Sequence, residues 1–153
     1  MKRKTVLLII IGMTCAVIGA YKDGYGAEKT SAWISYGKTG YGDYYYDKNS
    51  ITNISPKIIK VVNKIKYSEN GRERALKERK DNKMSIDGWE TLDYTLSFNE
   101  FDCLKNTIKT TKVIDFNNKG EIIEDFDFTR APTDKIMPDS INDSLLKIVC
   151  QNK

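Results

Sequence analysis

The N-terminus constrains this chain more than any other stretch, because it decides the compartment in which the rest must fold. Met1 is followed by Lys2-Arg3-Lys4, and then by an apolar run from Val6 to Ala20 broken only by Gly12, Thr14 and Gly19. A charged start and an apolar run of about 15 residues form the pattern of a secretory signal peptide, and the run is shorter than the roughly 20 residues of a transmembrane helix. The polar stretch Tyr21-Lys22-Asp23-Gly24 comes next, with no second apolar segment to act as an anchor. Residues 1–20 are therefore expected to be a cleaved signal, with Ala20 the favoured cut and Ala27 the latest alternative, and residues 28–153 a single domain. Cys15 follows Gly12-Met13-Thr14, which lacks the aliphatic residue expected three positions before a lipid-modified cysteine. It is expected to leave with the signal.

Export sets the cysteine chemistry. Of three cysteines, Cys103 and Cys150 remain after cleavage. An even number in an oxidising compartment makes one bridge the default. Loss of chain entropy in the unfolded state gives such a loop about 4 kcal/mol of stabilisation.

Charge and composition exclude several functions. The full chain carries +4, but Lys2, Arg3 and Lys4 belong to the expected signal, which leaves 22 basic against 21 acidic residues, or +1. That balance gives no reason to expect nucleic acid binding. The chain contains no histidine. The usual general base at neutral pH, the Ser-His-Asp and Cys-His arrangements and the commonest zinc ligand are all missing. With both remaining cysteines paired, no thiol is left as a nucleophile. No enzymatic activity, metal or cofactor is expected.

Strand signals run from Ser31 to Phe128. Ala32–Tyr36 and the tyrosine-bearing Asp43–Asp47 flank a glycine-rich turn at Gly37–Gly42, a hairpin pattern. In Ile58–Tyr67, residues Ile59, Val61, Ile65 and Tyr67 share one face, while Lys60, Lys64 and Lys66 share the other, predicting one buried and one wet face. Leu92–Cys103 predicts a strand with Leu92, Tyr94, Leu96 and Phe98 inward, changing phase at a bulge near Asn99-Glu100 so that Phe101 and Cys103 turn inward. Thr107–Phe116, the turn Asn117-Asn118-Lys119-Gly120 and Glu121–Phe128 predict a further hairpin. At the C-terminus the period changes to helical, with Ile141, Leu145, Ile148 and Val149 on a stripe and Ser140–Asp143 as a capping box. The fold class is α+β: an antiparallel sheet of about six strands with a C-terminal helix.

Residues 71–83 carry six basic and three acidic side chains and almost nothing to bury, which predicts a solvated loop or a short surface helix. Its Arg72, Arg74, Arg79 and Lys80 are the candidate contacts for an acidic partner. Asp125 and Asp127, beside Glu121 and Glu124, lack calcium-loop spacing and are expected on a solvated strand face. Tyr36, Tyr41 and Tyr44–Tyr46 could serve recognition, but core packing is the favoured reading, as it is for Trp33 and Trp89.

The order of these features resembles the surface-adhesin protein E family of bacterial exported proteins. The resemblance is carried by Trp33, Tyr45-Tyr46-Asp47 with Ser50-Ile51, the lysine-faced strand, and Phe101-Asp102-Cys103. It continues through Asp115, Asn118–Ile122, Pro138-Asp139-Ser140 and the closing Cys150. The resemblance implies an antiparallel sheet with a C-terminal helix fastened by the disulfide, and binding of host extracellular-matrix or serum proteins, such as laminin and vitronectin. The expected function is therefore a non-enzymatic exported binding protein resembling a bacterial surface adhesin. Its expected partner is an extracellular or envelope protein or a glycan, with no transmembrane segment after signal cleavage and a location in periplasm, cell surface or medium. The alternative is a periplasmic structural or envelope-stress protein.

Overall fold

The computed structural model describes residues 31–128, 130 and 132–151; the expected signal, its cut and Cys15 lie outside them. The chain forms β1 (Trp33–Thr39), β2 (Gly42–Asp47), β3 (Thr52–Asn53), β4 (Ile58–Tyr67), α1 (Glu69–Asp81), β5 (Leu92–Asp102), β6 (Thr107–Asn117), β7 (Ile122–Asp127), β8 (Asp134–Lys135) and α2 (Ile141–Gln151). The strands make one antiparallel sheet in the order β1-β2-β4-β5-β6-β7, with the short β3 added to β4 and β8 to β6. Six principal strands and a C-terminal helix match the expected α+β class.

Alternation explains β4, where Ile59 and Val61 are buried and Lys60 and Lys66 exposed. In β5 the pattern differs from the sequence expectation. Leu92, Thr95, Asn99 and Phe101 are buried. Tyr94, Leu96 and Phe98 lie on the opposite face. The phase changes at Asp93, an extra residue between the Leu92–Asn117 and Tyr94–Phe116 pairs. The irregularity beside Asn99 belongs to β6, where Thr111 is the extra residue. Hydropathy placed the bulge wrongly because the inner face is polar here and its groups satisfy one another. Thr95 Oγ1 donates to Asp115 Oδ1 at 2.5 Å. Asn99 donates through Nδ2 to Asn63 Oδ1 and accepts from Thr110 Oγ1 at 2.7 Å.

Both helices cover this same face, at opposite ends. Leu145, Leu146 and Val149 of α2 share a core with Tyr46, Ile59, Val61 and Phe101. Ser140 caps α2 by accepting from the Asp143 N–H at 3.2 Å, and Asp143 Oδ2 accepts from the Asp139 N–H at 2.9 Å. The return arm of the expected box thus reaches one residue further back. Cys103 and Cys150 are bonded, with Cα atoms 5.8 Å apart, so the end of β5 is tied to the last turn of α2. At the other end, α1 covers Tyr67, Thr95, Asp115 and Glu124. The opposite face of the sheet carries neither helix.

Candidate functional site

Two surfaces bear the side chains that could meet a partner: helix α1 and the helix-free face of the sheet. Residues 69–81 form a helix because Arg, Glu, Ala, Leu and Lys all favour one and Ser68 caps it, accepting from the Gly71 N–H at 3.0 Å. The helix docks through backbone rather than through an apolar stripe. A Cβ on Gly71 would stand 1.9 Å from the Tyr41 carbonyl oxygen.

The structure separates the four basic residues singled out in α1. Arg79 is buried, 7% exposed. Its Nε donates to the Ser85 carbonyl at 2.6 Å, its Nη2 to Glu124 Oε1 at 2.7 Å, and its guanidinium stacks 3.9 Å from the Trp89 ring centre. A guanidinium held on three sides inside the protein is not a surface contact, so Arg79 leaves the candidate set. Arg72 is half-buried, with Nη1 3.5 Å from the Leu92 carbonyl. Arg74 is exposed and stacks on Tyr41 at 4.1 Å, and Lys80 is exposed. Lys77 pairs with Asp81 at 2.6 Å. Tyr41, Arg74 and Lys77 border a shallow basin of about 240 Å³ with Glu78, Asp81 and Asn82.

Beneath α1, burial pushes the Asp115 carboxyl above its ordinary value, against the Thr95 hydrogen bond that favours its charge. Asp125 and Asp127 lie on the helix-free face, where Asp125 pairs with Lys112 at 2.9 Å, while Glu124 turns to the other face and Arg79. The four acidic residues of β7 and its turn are therefore not one cluster. Among the described residues, no group of three or more His, Cys, Asp or Glu side chains could hold a metal ion. None of the described helices is long and apolar enough to cross a membrane.

The tyrosines divide by strand parity. Tyr46 is buried in the core, and Tyr36 packs beside it and Tyr44 with ring centres 6.3 and 6.0 Å away. Tyr45 points to the helix-free face. There Lys64 Nζ lies 4.2 Å from the centre of the Trp33 ring, 5.3 Å from Tyr45 and 5.9 Å from Tyr94, and Tyr94 stacks on Phe116 at 4.6 Å. Trp89 is buried, whereas Trp33 is a half-exposed wall of this cluster and not a core anchor. Lys64, expected on a wet face, is half-buried, and burial, reinforced by Lys66 and partly opposed by Asp93, lowers its pKa. Sequence reasoning missed the cluster because Trp33 and Tyr94 stand 61 positions apart. The one local signal was a lysine opposite Tyr45 in adjoining strands.

The model of the surface-adhesin protein E family matches residues 33–151. No functionally curated protein matches the chain. Crystal form II of Haemophilus influenzae protein E is similar, with 14% identity, coverage of 80% of this chain and 98% of that one, and a TM-score of 0.46. Protein E from non-typeable Haemophilus influenzae is also similar, with 14% identity, coverage of 82% and 86%, and a TM-score of 0.45. The family match spans the whole sheet, α1, α2 and the disulfide that ties the end of β5 to α2: the chain belongs to the surface-adhesin protein E family.

Proposed function

We propose that this protein is an exported, non-enzymatic adhesin that engages a host extracellular-matrix or serum protein through the outer side of α1. The reading is carried by the family match over residues 33–151, a family of surface adhesins. It is supported by α1, whose Arg74, Lys77 and Lys80 stand in solvent on a helix fixed from beneath by Gly71 and the buried Arg79. A helix anchored by its inner side can present charge outward without rearranging. Exposed charges lose most of their reach beyond about 8 Å at physiological salt, so binding through this surface is weak and salt-sensitive.

The test has two parts. Antibody labelling of intact cells, against fractionated periplasm, locates the protein; presence only in the periplasm would favour the envelope structural reading instead. Binding of the purified protein to laminin and to heparin is then compared with that of a variant carrying Arg74→Gln, Lys77→Gln and Lys80→Gln, the three basic residues of α1 that stand in solvent. The variant is expected to lose binding and keep its melting temperature, since surface changes are usually worth less than about 0.5 kcal/mol. Undiminished binding by the variant would remove α1 from the interface.

A further inference from the structure

The helix-free face of the sheet holds an unusual cation. Four lysines along it meet carboxylates: Lys38 pairs with Asp43 at 2.9 Å, Lys60 with Glu100 at 3.3 Å, Lys66 with Asp93 at 2.5 Å and Lys112 with Asp125 at 2.9 Å. Lys64 sits among them with no carboxylate within ion-pair distance among the described residues. Its ammonium is ringed instead by the faces of Trp33, Tyr45 and Tyr94. Aromatic faces hold a cation through their quadrupoles, more strongly as water is withdrawn, but they do not neutralise it. An anion arriving at Lys64 would gain a charge-assisted bond without displacing a carboxylate of the protein.

The surroundings narrow the class of anion. Half-buried Trp and Tyr rings offer rigid, amphipathic area at low entropic cost, suited to the C–H face of a sugar ring. Along the same face, Ser50, Thr52, Lys60, Val62, Phe98 and Thr111 border a groove of about 250 Å³. That is a little below the roughly 300–1,000 Å³ of sites for drug-sized ligands, and it suits one or two small rings. Thr52 Oγ1 already donates to the Ser50 carbonyl at 3.3 Å and Thr111 Oγ1 to the Phe98 carbonyl at 3.1 Å. Both hydroxyls therefore offer free lone pairs, which accept hydrogen bonds from a ligand rich in O–H groups.

We infer that this face binds a carboxylate-bearing saccharide, with a sugar ring against Trp33 and Tyr45, the carboxylate on Lys64, and neighbouring hydroxyls in the Thr52–Thr111 groove. The site lies across the sheet from α1 and does not depend on the role proposed for that helix.

The test titrates the full mature protein with 3′-sialyllactose and with lactose, following tryptophan fluorescence and saturation-transfer NMR. Trp33 reports the site, and the buried Trp89 supplies a constant background. Saturable binding in the millimolar range is expected for sialyllactose, with lactose about tenfold weaker. Lys64→Gln should bring sialyllactose down to the lactose level, Lys64→Arg should restore part of the difference, and Trp33→Phe should abolish the fluorescence response. Each variant is first matched to wild type by its circular dichroism melt; if Lys64→Gln does not fold, the Lys64→Arg and lactose comparisons carry the test. The absence of saturable binding, or binding equal for the two sugars, overturns the proposal. So does competition by tetraglutamate as effective as by sialyllactose, which would make the face a peptide site. The α1 triple variant should bind sialyllactose as wild type does, so the two proposals fail separately.

Discussion

Removing the Cys103–Cys150 bridge is the perturbation whose size follows most directly from the structure. The bridge spans a sequence separation of 47 and joins the end of β5 to the last turn of α2. In the chain-entropy model, a loop of that length contributes about 4 kcal/mol by restricting the unfolded chain. A domain of this size has about 5–15 kcal/mol in all, so the bridge is a large fraction of the total. Without it, α2 is held chiefly by Leu145, Leu146 and Val149, all buried against the sheet, and full burial of such side chains is worth roughly 1.5–3 kcal/mol each. The domain should therefore still fold at room temperature but melt roughly 15 °C lower, at the few degrees per kcal/mol of a chain this long. The assay is urea unfolding of the oxidised protein, the reduced protein and Cys103→Ala/Cys150→Ala, fitted with independent slopes because opening the loop enlarges the unfolded state. Hydrogen exchange should show α2 losing protection before β4 does. A loss below about 1 kcal/mol would refute the argument, since it would mean that the unfolded chain is already confined without the bond. Two reactive thiols in denatured, unreduced mature protein would refute the bond itself.

Two further outcomes test the other end of the sheet. Gly71→Ala should destabilise by about 2 kcal/mol, although alanine gains about 1 kcal/mol in helix propensity, because its methyl would meet the Tyr41 carbonyl oxygen at 1.9 Å. Gly37→Ala should cost less, since its methyl meets the rotatable Ile141 Cδ1 at 2.2 Å; thermal melts of the two variants in that order are expected, and the reverse order would contradict the docking described for α1. Asp115 titrates above its ordinary value when folded, so the native state takes up its proton first and this group adds stability as pH falls through its folded pKa towards its unfolded one. The advantage of Asp115→Asn over wild type should then be largest near pH 7 and shrink on acidification; urea unfolding across that range checks it, and a constant difference would remove the burial effect. Asp102 and Asp143, whose pKa values are lowered, act in the opposite sense at more acid pH and are common to both proteins.

The frame was legible wherever burial and hydropathy coincide. Alternation in Ile58–Tyr67, the Asn117–Gly120 turn and the capped stripe after Ser140 all gave the elements that form. What hydropathy could not give were contacts made by polar groups. The helix α1 has no apolar face; it docks through a glycine, a carbonyl and the buried guanidinium of Arg79, each of which reads as solvated in the sequence. Thr95 and Asp115 lie inside because they bond each other, and Asn99 because it bonds Asn63 and Thr110, so hydropathy alone reverses the phase of β5, in which Asp93 is the extra residue. For the candidate surfaces, the sequence marked the charge of α1 but not which of its arginines turns inward. It gave no sign that Lys64 sits beneath Trp33.

These polar contacts also decide what each surface can do. Arg79, Glu124 and Trp89 fasten the inner side of α1, so charges on its outer side can be exchanged without loosening the helix. On the helix-free face the opposite holds, because Lys64, Trp33 and Tyr45 both form the surface and pack against one another. A substitution there changes recognition and local packing together, and only a charge-retaining change such as Lys64→Arg separates the two. The surfaces lie on opposite sides of one sheet and, among the described residues, share no side-chain partner. Variants more than about 7–10 Å apart without shared partners usually combine additively. A partner touching both surfaces would break that additivity in binding while leaving it intact in stability, so a double-mutant cycle read both ways distinguishes one extended interface from two independent ones.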